Sequence, residues 1–368
     1  DLHLCDRRQR QMCIRDREIL RAIEKGNEYL KSKQNPEGYW AQPSYPALTA
    51  LAVTAYMRDP ANQGKPVPEY IRKGYDFILK SQKEDGSIFN RGMSSYNTAV
   101  CMMALLAANK EEYAPAILKG RAYLIKQQNH FAPDNPYNGG IGYGDKQAPP
   151  IADLSNTSLA LEAIYYSQKL AKDGKYGEQP DLDWNAATEF INRCQQNPAV
   201  NKEPWVSNDK SQLGGFVYRP GVSSARDKKS AAFDKAEPPK AYGSMTYAGM
   251  QSLIYANVDK NDPRVKLALK WLENSYSLDE NPGMGVQGLY YYYQAMSKAL
   301  SAMGIDTLTL ENGRKVDWRD ELANKLISIQ KSDGSWVNTN NRWWEADPVL
   351  VTSYCVLALE QLYHSIPR

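Results

Sequence analysis

The sequence predicts an all-α protein, a single (α/α)6 toroid in which six outer helices surround six inner ones. Three observations lead there. One unit recurs along the chain: an amphipathic helix, then a glutamine, a glycine turn and an aromatic residue. The helix after each turn carries almost no charge on any face, which requires burial all round, whereas the helix before it is apolar on one side only. Neither the first nor the last uncharged helix is more polar than those between, so the array lacks the polar end units of an open solenoid and closes on itself.

The clearest copies are AIEKGNEYLKSKQNPEGYW from Ala22, IRKGYDFILKSQKEDGSIF from Ile71 and ELANKLISIQKSDGSW from Glu321. Weaker ones are LKGRAYLIKQQ from Leu118, leading to Gly139 and Gly140; AATEFINRCQQ from Ala186, leading to Gly214, Gly215 and Phe216; and LALKWLENSYSLDENPGMG from Leu267. Gln34, Gln82, Gln128, Gln196 and Gln330 mark five copies, and Ser277 stands at the fifth copy's glutamine position. In the second outer helix Ile71, Tyr75, Ile78 and Leu79 fall at i, i+4, i+7 and i+8 among charged residues, a single apolar stripe. Inner helices are expected over 47–57, 96–108, 156–170, 245–256, 289–303 and 348–363. Asp183 before Trp184 and Asp317 before Trp318 read as helix N-caps.

Length alone, 368 residues, would fit two domains of about one to two hundred residues. The repeats replace that with one domain over 18–368. Residues 1–17, DLHLCDRRQRQMCIRDR, hold five arginines and three aspartates without helical or strand period, and resemble translated adapter read-through in an assembled metagenomic gene. They are expected to be non-native or disordered, and are set aside together with Cys5, Cys13 and His3 as a metal set. The native N-terminus is then missing, which leaves cytoplasmic and exported locations both open. Without the segment, 40 basic face 39 acidic residues, too even a balance to gather nucleic acid. No apolar run nears the ~18 residues of a membrane-spanning helix, and mean hydropathy is −0.62, so the chain reads as soluble. Cys101, Cys194 and Cys355, odd in number and far apart, read as buried thiols. The 25 tyrosines against six phenylalanines predict aromatic surfaces facing something polar, since a core needing only bulk has no use for hydroxyls.

The element K-G-x-x-F/Y, then Q, then D-G-S-x-F/W, seen at Lys73 to Phe89 and in part at Leu326 to Trp336, resembles the QW repeat of squalene and hopene cyclases. It is also similar to the repeats of protein prenyltransferase β subunits, and the likeness covers Ala22 to Tyr363. The stretches DLSNTSLAL from Asp153 and RWWEADPVLVTSY from Arg342 are similar to a single-domain bacterial branch of this superfamily. The resemblance implies the same toroid and an isoprenoid substrate. Members that cyclise protonate an alkene with the middle aspartate of D-x-D-D-T; the matching segment here, Asp153 to Thr157, puts Ser155 there, and a serine hydroxyl is too weak an acid. At the prenyltransferases' zinc ligands stand Gln287, Leu289 and Val351, so no zinc and no other cofactor is implied. The chain has no Asp-Asp dipeptide, hence no aspartate-rich magnesium site.

The N-terminal ends of the inner helices should meet at one mouth of the ring. Tyr45, Tyr96, Asn156, Tyr242, Tyr247, Tyr290, Tyr291, Trp343 and Trp344 are the candidate ligand-binding residues there, because aromatic faces suit an isoprenoid or a carbocation. Glu345, Asp347 and Asp153 are the candidates for the missing acid. Glu345, between Trp344 and Asp347, is best placed to resist ionising; Asp153 and Asp347 read equally as N-caps. The insertion over 199–240, with Arg219, Arg226, Lys228 and Lys229, reads as a lid or a solvated loop. Three functions stay open: an apolar-ligand or isoprenoid protein, in its enzymatic form an acid-initiated cyclase; a non-catalytic binding toroid; and a polysaccharide lyase. No nucleic-acid partner is expected.

Overall fold

A computed structural model describes residues 2–144, 151–225 and 238–365, with side chains from residue 15 onward. Thirteen α-helices are found among them: α1 (Leu2–Ser32), α2 (Pro46–Arg58), α3 (Glu69–Lys80), α4 (Ser94–Ala107), α5 (Ala114–Lys126), α6 (Leu154–Tyr166) and α7 (Gln168–Lys172). The chain continues through α8 (Trp184–Cys194), α9 (Gly243–Tyr255), α10 (Pro263–Asn274), α11 (Leu289–Met303), α12 (Trp318–Ile329) and α13 (Pro348–Ser365). One antiparallel pair of two-residue strands, β1 (Leu308–Thr309) and β2 (Lys315–Val316), precedes α12. The protein is all-α, as expected. The segment 2–17, expected to stand apart, lies within α1.

The two helix characters sort as the sequence predicts. On α3, Ile71, Tyr75 and Ile78 are buried while Arg72, Lys73 and Asp76 are exposed. On α4, by contrast, the buried set runs through Asn97, Thr98, Ala99, Val100, Cys101 and Met102 without a gap. The sparsely charged helices contact one another in a circuit, α2 with α4, then α6, α9, α11, α13, and α13 back with α2. Asp183 and Asp317 cap α8 and α12 by accepting from the amides of Ala186 and Asp320. The inner helix expected over 156–170 instead ends at Tyr166, because the Ser167 hydroxyl bonds back to the carbonyls of Ala163 and Ile164 and turns the chain into α7.

The recurring glutamine is a fastener between neighbouring units. Gln34 Nε2 donates to Gly38 O in its own turn and to Tyr70 O on the next outer helix, at 3.0 and 2.7 Å. Gln82 repeats this with Gly86 and Ala116, and Gln128 with Gly139 and Asp183. In the fourth copy the fastener is Gln195, bonded to Gly214 and Arg264, which corrects the assignment to Gln196. Two adjacent glutamines made the register ambiguous. Gln330 bonds Gly334 and, at 3.0 Å, Ala22 O on α1, so the last unit grips the first.

The glycine of each turn is needed for close approach. Gly38 has φ 96°, and a Cβ there would lie 2.5 Å from Lys73 O; at Gly334 it would lie 2.3 Å from Lys25 O. Two residues on, a large side chain enters the core, and its amide donates to a threonine on the inner helix: Trp40 to Thr49, Ile88 to Thr98, Ile141 to Thr157, Phe216 to Thr246, Trp336 to Thr352. In the second copy this core residue is Ile88. Phe89, read as the motif's aromatic, is half-buried under Lys83. Cys101, Cys194 and Cys355 are buried free thiols. Among the described residues no helix is long and apolar enough to cross a membrane.

Candidate functional site

The first turns of α2, α4, α6, α9, α11 and α13 face a common chamber of about 360 Å³. Its wall is mostly aromatic: Tyr45, Tyr96, Tyr242, Tyr291, Trp343 and Trp344 line it, with Tyr143, Tyr218 and Tyr354. Hydroxyls neighbour one another within this wall. Tyr291 lies beside Ser155, and Tyr96 beside Tyr354. Burial pushes the Tyr96, Tyr291 and Tyr354 phenols up, which keeps them neutral.

Local backbone geometry at the mouth is unusual. Trp343 and Trp344 have φ of 56° and 65°, and Met93, also lining the chamber, has 51°. Left-handed conformations cost a non-glycine residue about 1–3 kcal/mol, and such strain collects where surrounding structure fixes a side chain for use. Two groups fix it here. The Trp344 ring packs 4.6 Å from Tyr45, and the Arg342 guanidinium lies 4.4 Å from the Trp343 ring. The two indoles stay 45% and 41% exposed, an unusual cost for tryptophan unless something covers them.

Glu345 reaches the chamber but is held as a helix cap. Its carboxylate accepts from the amides of Tyr291 at 2.8 Å and Tyr290 at 3.4 Å, at the start of α11, and from Asn338 Nδ2 at 2.7 Å. Burial raises its pKa, and every one of these donors works in the other direction, favouring the anion. A carboxyl so bonded anchors the Trp343–Trp344 turn on α11. Asp153 lies behind the wall, 2% exposed. It caps α6 through Asn156 N at 2.8 Å and accepts from Asn156 Nδ2 at 2.7 Å; the nearby Tyr218 hydroxyl donates to the Tyr143 hydroxyl at 3.5 Å. Burial outweighs these bonds and pushes Asp153 up to about 6.

Of the residues expected at the mouth, Tyr45, Tyr96, Tyr242, Tyr291, Trp343, Trp344 and Glu345 converge on the chamber. Asn156 turns back to Asp153. Tyr247 is buried against Tyr292, and the Tyr290 hydroxyl donates to Val337 O at 3.2 Å. Asp347 caps α13 by accepting from Val349 N and lines a separate hollow beside Gln42 and Leu350. Sequence reasoning missed Met93, Tyr143, Tyr218, Ser244 and Tyr354. Tyr354 was within reach, since Asp347, Leu350, Tyr354 and Leu357 follow helical spacing; Tyr143 and Tyr218 come from loops and carry no period. The insertion contributes Tyr218 to the wall, while Arg226, Lys228 and Lys229 lie outside the described residues. Among the described residues no three of His, Cys, Asp and Glu gather as a metal ion requires.

No protein-family model matches the chain. Its fold is similar to that of the type II terpene cyclase MstE from Scytonema: the apo enzyme matches with TM-score 0.57 at 11% identity, over 95% of this chain and 99% of that one. Forms of the same enzyme with geranylgeranyl dihydroxybenzoate as substrate and with merosterolic acid A as product match with TM-score 0.56, at 10% and 11% identity, over 96% of this chain and 99% of theirs. The chain therefore has a terpenoid-cyclase-like fold.

Proposed function

We propose that the chain is a single (α/α)6 toroid over 18–368, with residues 1–17 extraneous to it, and that its aromatic chamber binds an isoprenoid or a comparably apolar ligand. The observation that carries this is the chamber wall itself, nine tyrosine and tryptophan side chains around about 360 Å³. Such a wall buries hydrocarbon and, through its ring faces, favours positive charge. That MstE is described with a terpenoid substrate and product supports the ligand class.

Binding without acid-initiated cyclisation is the better reading. Ser155 occupies the family's donor position, Glu345 is fastened by three N–H groups, and Asp347 serves α13 outside the chamber. A cyclase or isomerase reading rests on Asp153, whose raised pKa and contact with Tyr218 give a route for a proton to the wall. The open charged groove that polysaccharide cleavage calls for is not the character of this mouth. Incubation with isoprenoids of about 15 to 30 carbons, read by tryptophan fluorescence for binding and mass spectrometry for products, separates these. Quenching without new products supports binding; new products lost in Asp153→Asn support the acid; neither quenching nor turnover removes the isoprenoid reading.

A further inference from the structure

The opposite end of the same axis is built differently. The last turns of the inner helices enclose a second chamber of about 540 Å³. A narrow middle space of about 80 Å³ connects the two in outline: Arg58, Glu162 and Lys298 line it together with the rear chamber, and Tyr96, Tyr291 and Tyr354 line it together with the front one. Between these ends its wall is mostly aliphatic, with Leu51, Val100, Leu159 and Leu357 beside the polar Ser158 and Gln294.

Charge inside a ring of apolar helices is costly, and its arrangement here is specific. Lys298 Nζ meets Glu162 Oε2 at 2.5 Å, and Glu162 is only 5% exposed, so that pair cancels. Arg58 has no such partner: among the described residues no carboxylate lies within ion-pair distance, and one Nη donates to the neutral Gln361 amide at 2.7 Å. Asp59, its chain neighbour, is engaged with Asn27, Ala61 N and Asn62. Glu360, buried on α13 without a hydrogen-bond partner, feels the Arg58 charge but makes no bond to it; burial pushes its carboxyl up. Tyr166, Tyr255 and Gln251 add no charge. The carbonyl ends of the inner helices would by themselves favour a cation here. Arg58, lining both spaces, sets against it a guanidinium that no carboxylate among the described residues bonds.

We infer that this rear chamber is a second binding site, for the carboxylate head of an apolar-tailed molecule, with Arg58 on the anion and the tail along the aliphatic middle space. It is independent of what occupies the aromatic chamber. The test is calorimetric titration of the full chain with decanoate, decanol and decyltrimethylammonium. Decanoate should bind at least about tenfold tighter than decanol, the worth of one charge-assisted hydrogen bond, and the cation should not bind. Arg58→Gln should erase the difference and Arg58→Lys largely keep it. Glu162→Gln, which frees Lys298, should tighten decanoate several-fold, a gain that no loss of folding can mimic. Trp344→Ala, in the front chamber, should leave the discrimination intact. Equal binding of acid and alcohol, preference for the cation, discrimination that survives Arg58→Gln, or discrimination that Trp344→Ala abolishes would each overturn the proposal.

Discussion

The two ends of the axis solve one problem in opposite ways. At the front, six helix starts are covered by loop residues, with Tyr143, Tyr218, Trp343 and Trp344 brought in from outside the helices and two of them in strained backbone. At the rear, the lining comes almost wholly from the helices, and its character is set by Arg58, the last residue of α2, and by Glu162 and Lys298, four and five residues before the ends of α6 and α11. Loops can be re-aimed without disturbing the core, so the front is where shape is tuned. The rear is part of the packing, and its chemistry is bound up with stability.

Four changes probe that contrast. Lys298→Met should be the most damaging, about 4 kcal/mol by urea unfolding, because it strands Glu162 in a dry site. The double change Lys298→Met with Glu162→Leu should recover most of that loss; if it does not, the rear is not held by charge pairing.

Asp153 should imprint the front on the pH profile. Its folded pKa of about 6 lies above the 3.8 of the unfolded chain, so its stabilising contribution is complete below about pH 4 and fades as pH rises through 6. The change amounts to about 3 kcal/mol at one unit per 1.36 kcal/mol. Asp153→Asn should flatten that part of the urea-midpoint profile, and an unaltered profile would place the burial effect elsewhere.

Glu345→Ala should cost about 2 kcal/mol, since it leaves the amides of Tyr290 and Tyr291 and the Asn338 side chain without their acceptor. It should also loosen the tryptophan turn, seen as a red-shifted emission, whereas Lys298→Met should leave emission unchanged. The smallest effect is expected from Gln330→Ala, about 1 kcal/mol for two bonds at the rim, equal to that of Gln82→Ala and indifferent to which mouth is occupied.

The architecture was legible because it is periodic. Repeated glutamine-glycine turns and alternating helix character place the helices to within a few residues, and Ser167, through a hydroxyl bonded to its own helix, ends one of them four residues early. The offset from Gln196 to Gln195 shows the limit of that reading, since only geometry tells which of two adjacent amides spans the gap. The front chamber was partly legible, because residues preceding inner helices must reach the mouth. Asn156 and Tyr290 fit that rule and still point elsewhere, as a helix turn sends successive side chains some 100° apart. The rear chamber was overlooked for a simpler reason: Arg58, Glu162 and Lys298 are distant in sequence, and each alone looks like an ordinary helix-end charge.

One junction of the six differs from the others. Where five carry the glutamine fastener, the fifth has Ser277, whose hydroxyl bonds only its own turn at Asp279 and Glu280. The neighbouring helix is held instead by Tyr276 to Glu321 at 3.0 Å and by Lys325 to Asp279 at 2.6 Å, the latter carboxylate 89% exposed. Contacts of this kind are weakened by dissolved ions, whereas amide-to-carbonyl bonds are not. Rising ionic strength should therefore loosen the molecule along a single seam between α10 and α12. That seam runs beside α11, whose Tyr292 and Tyr293 hydroxyls donate to the carbonyls of Ser277 and Leu278 and so hold the turn where the fastener is missing.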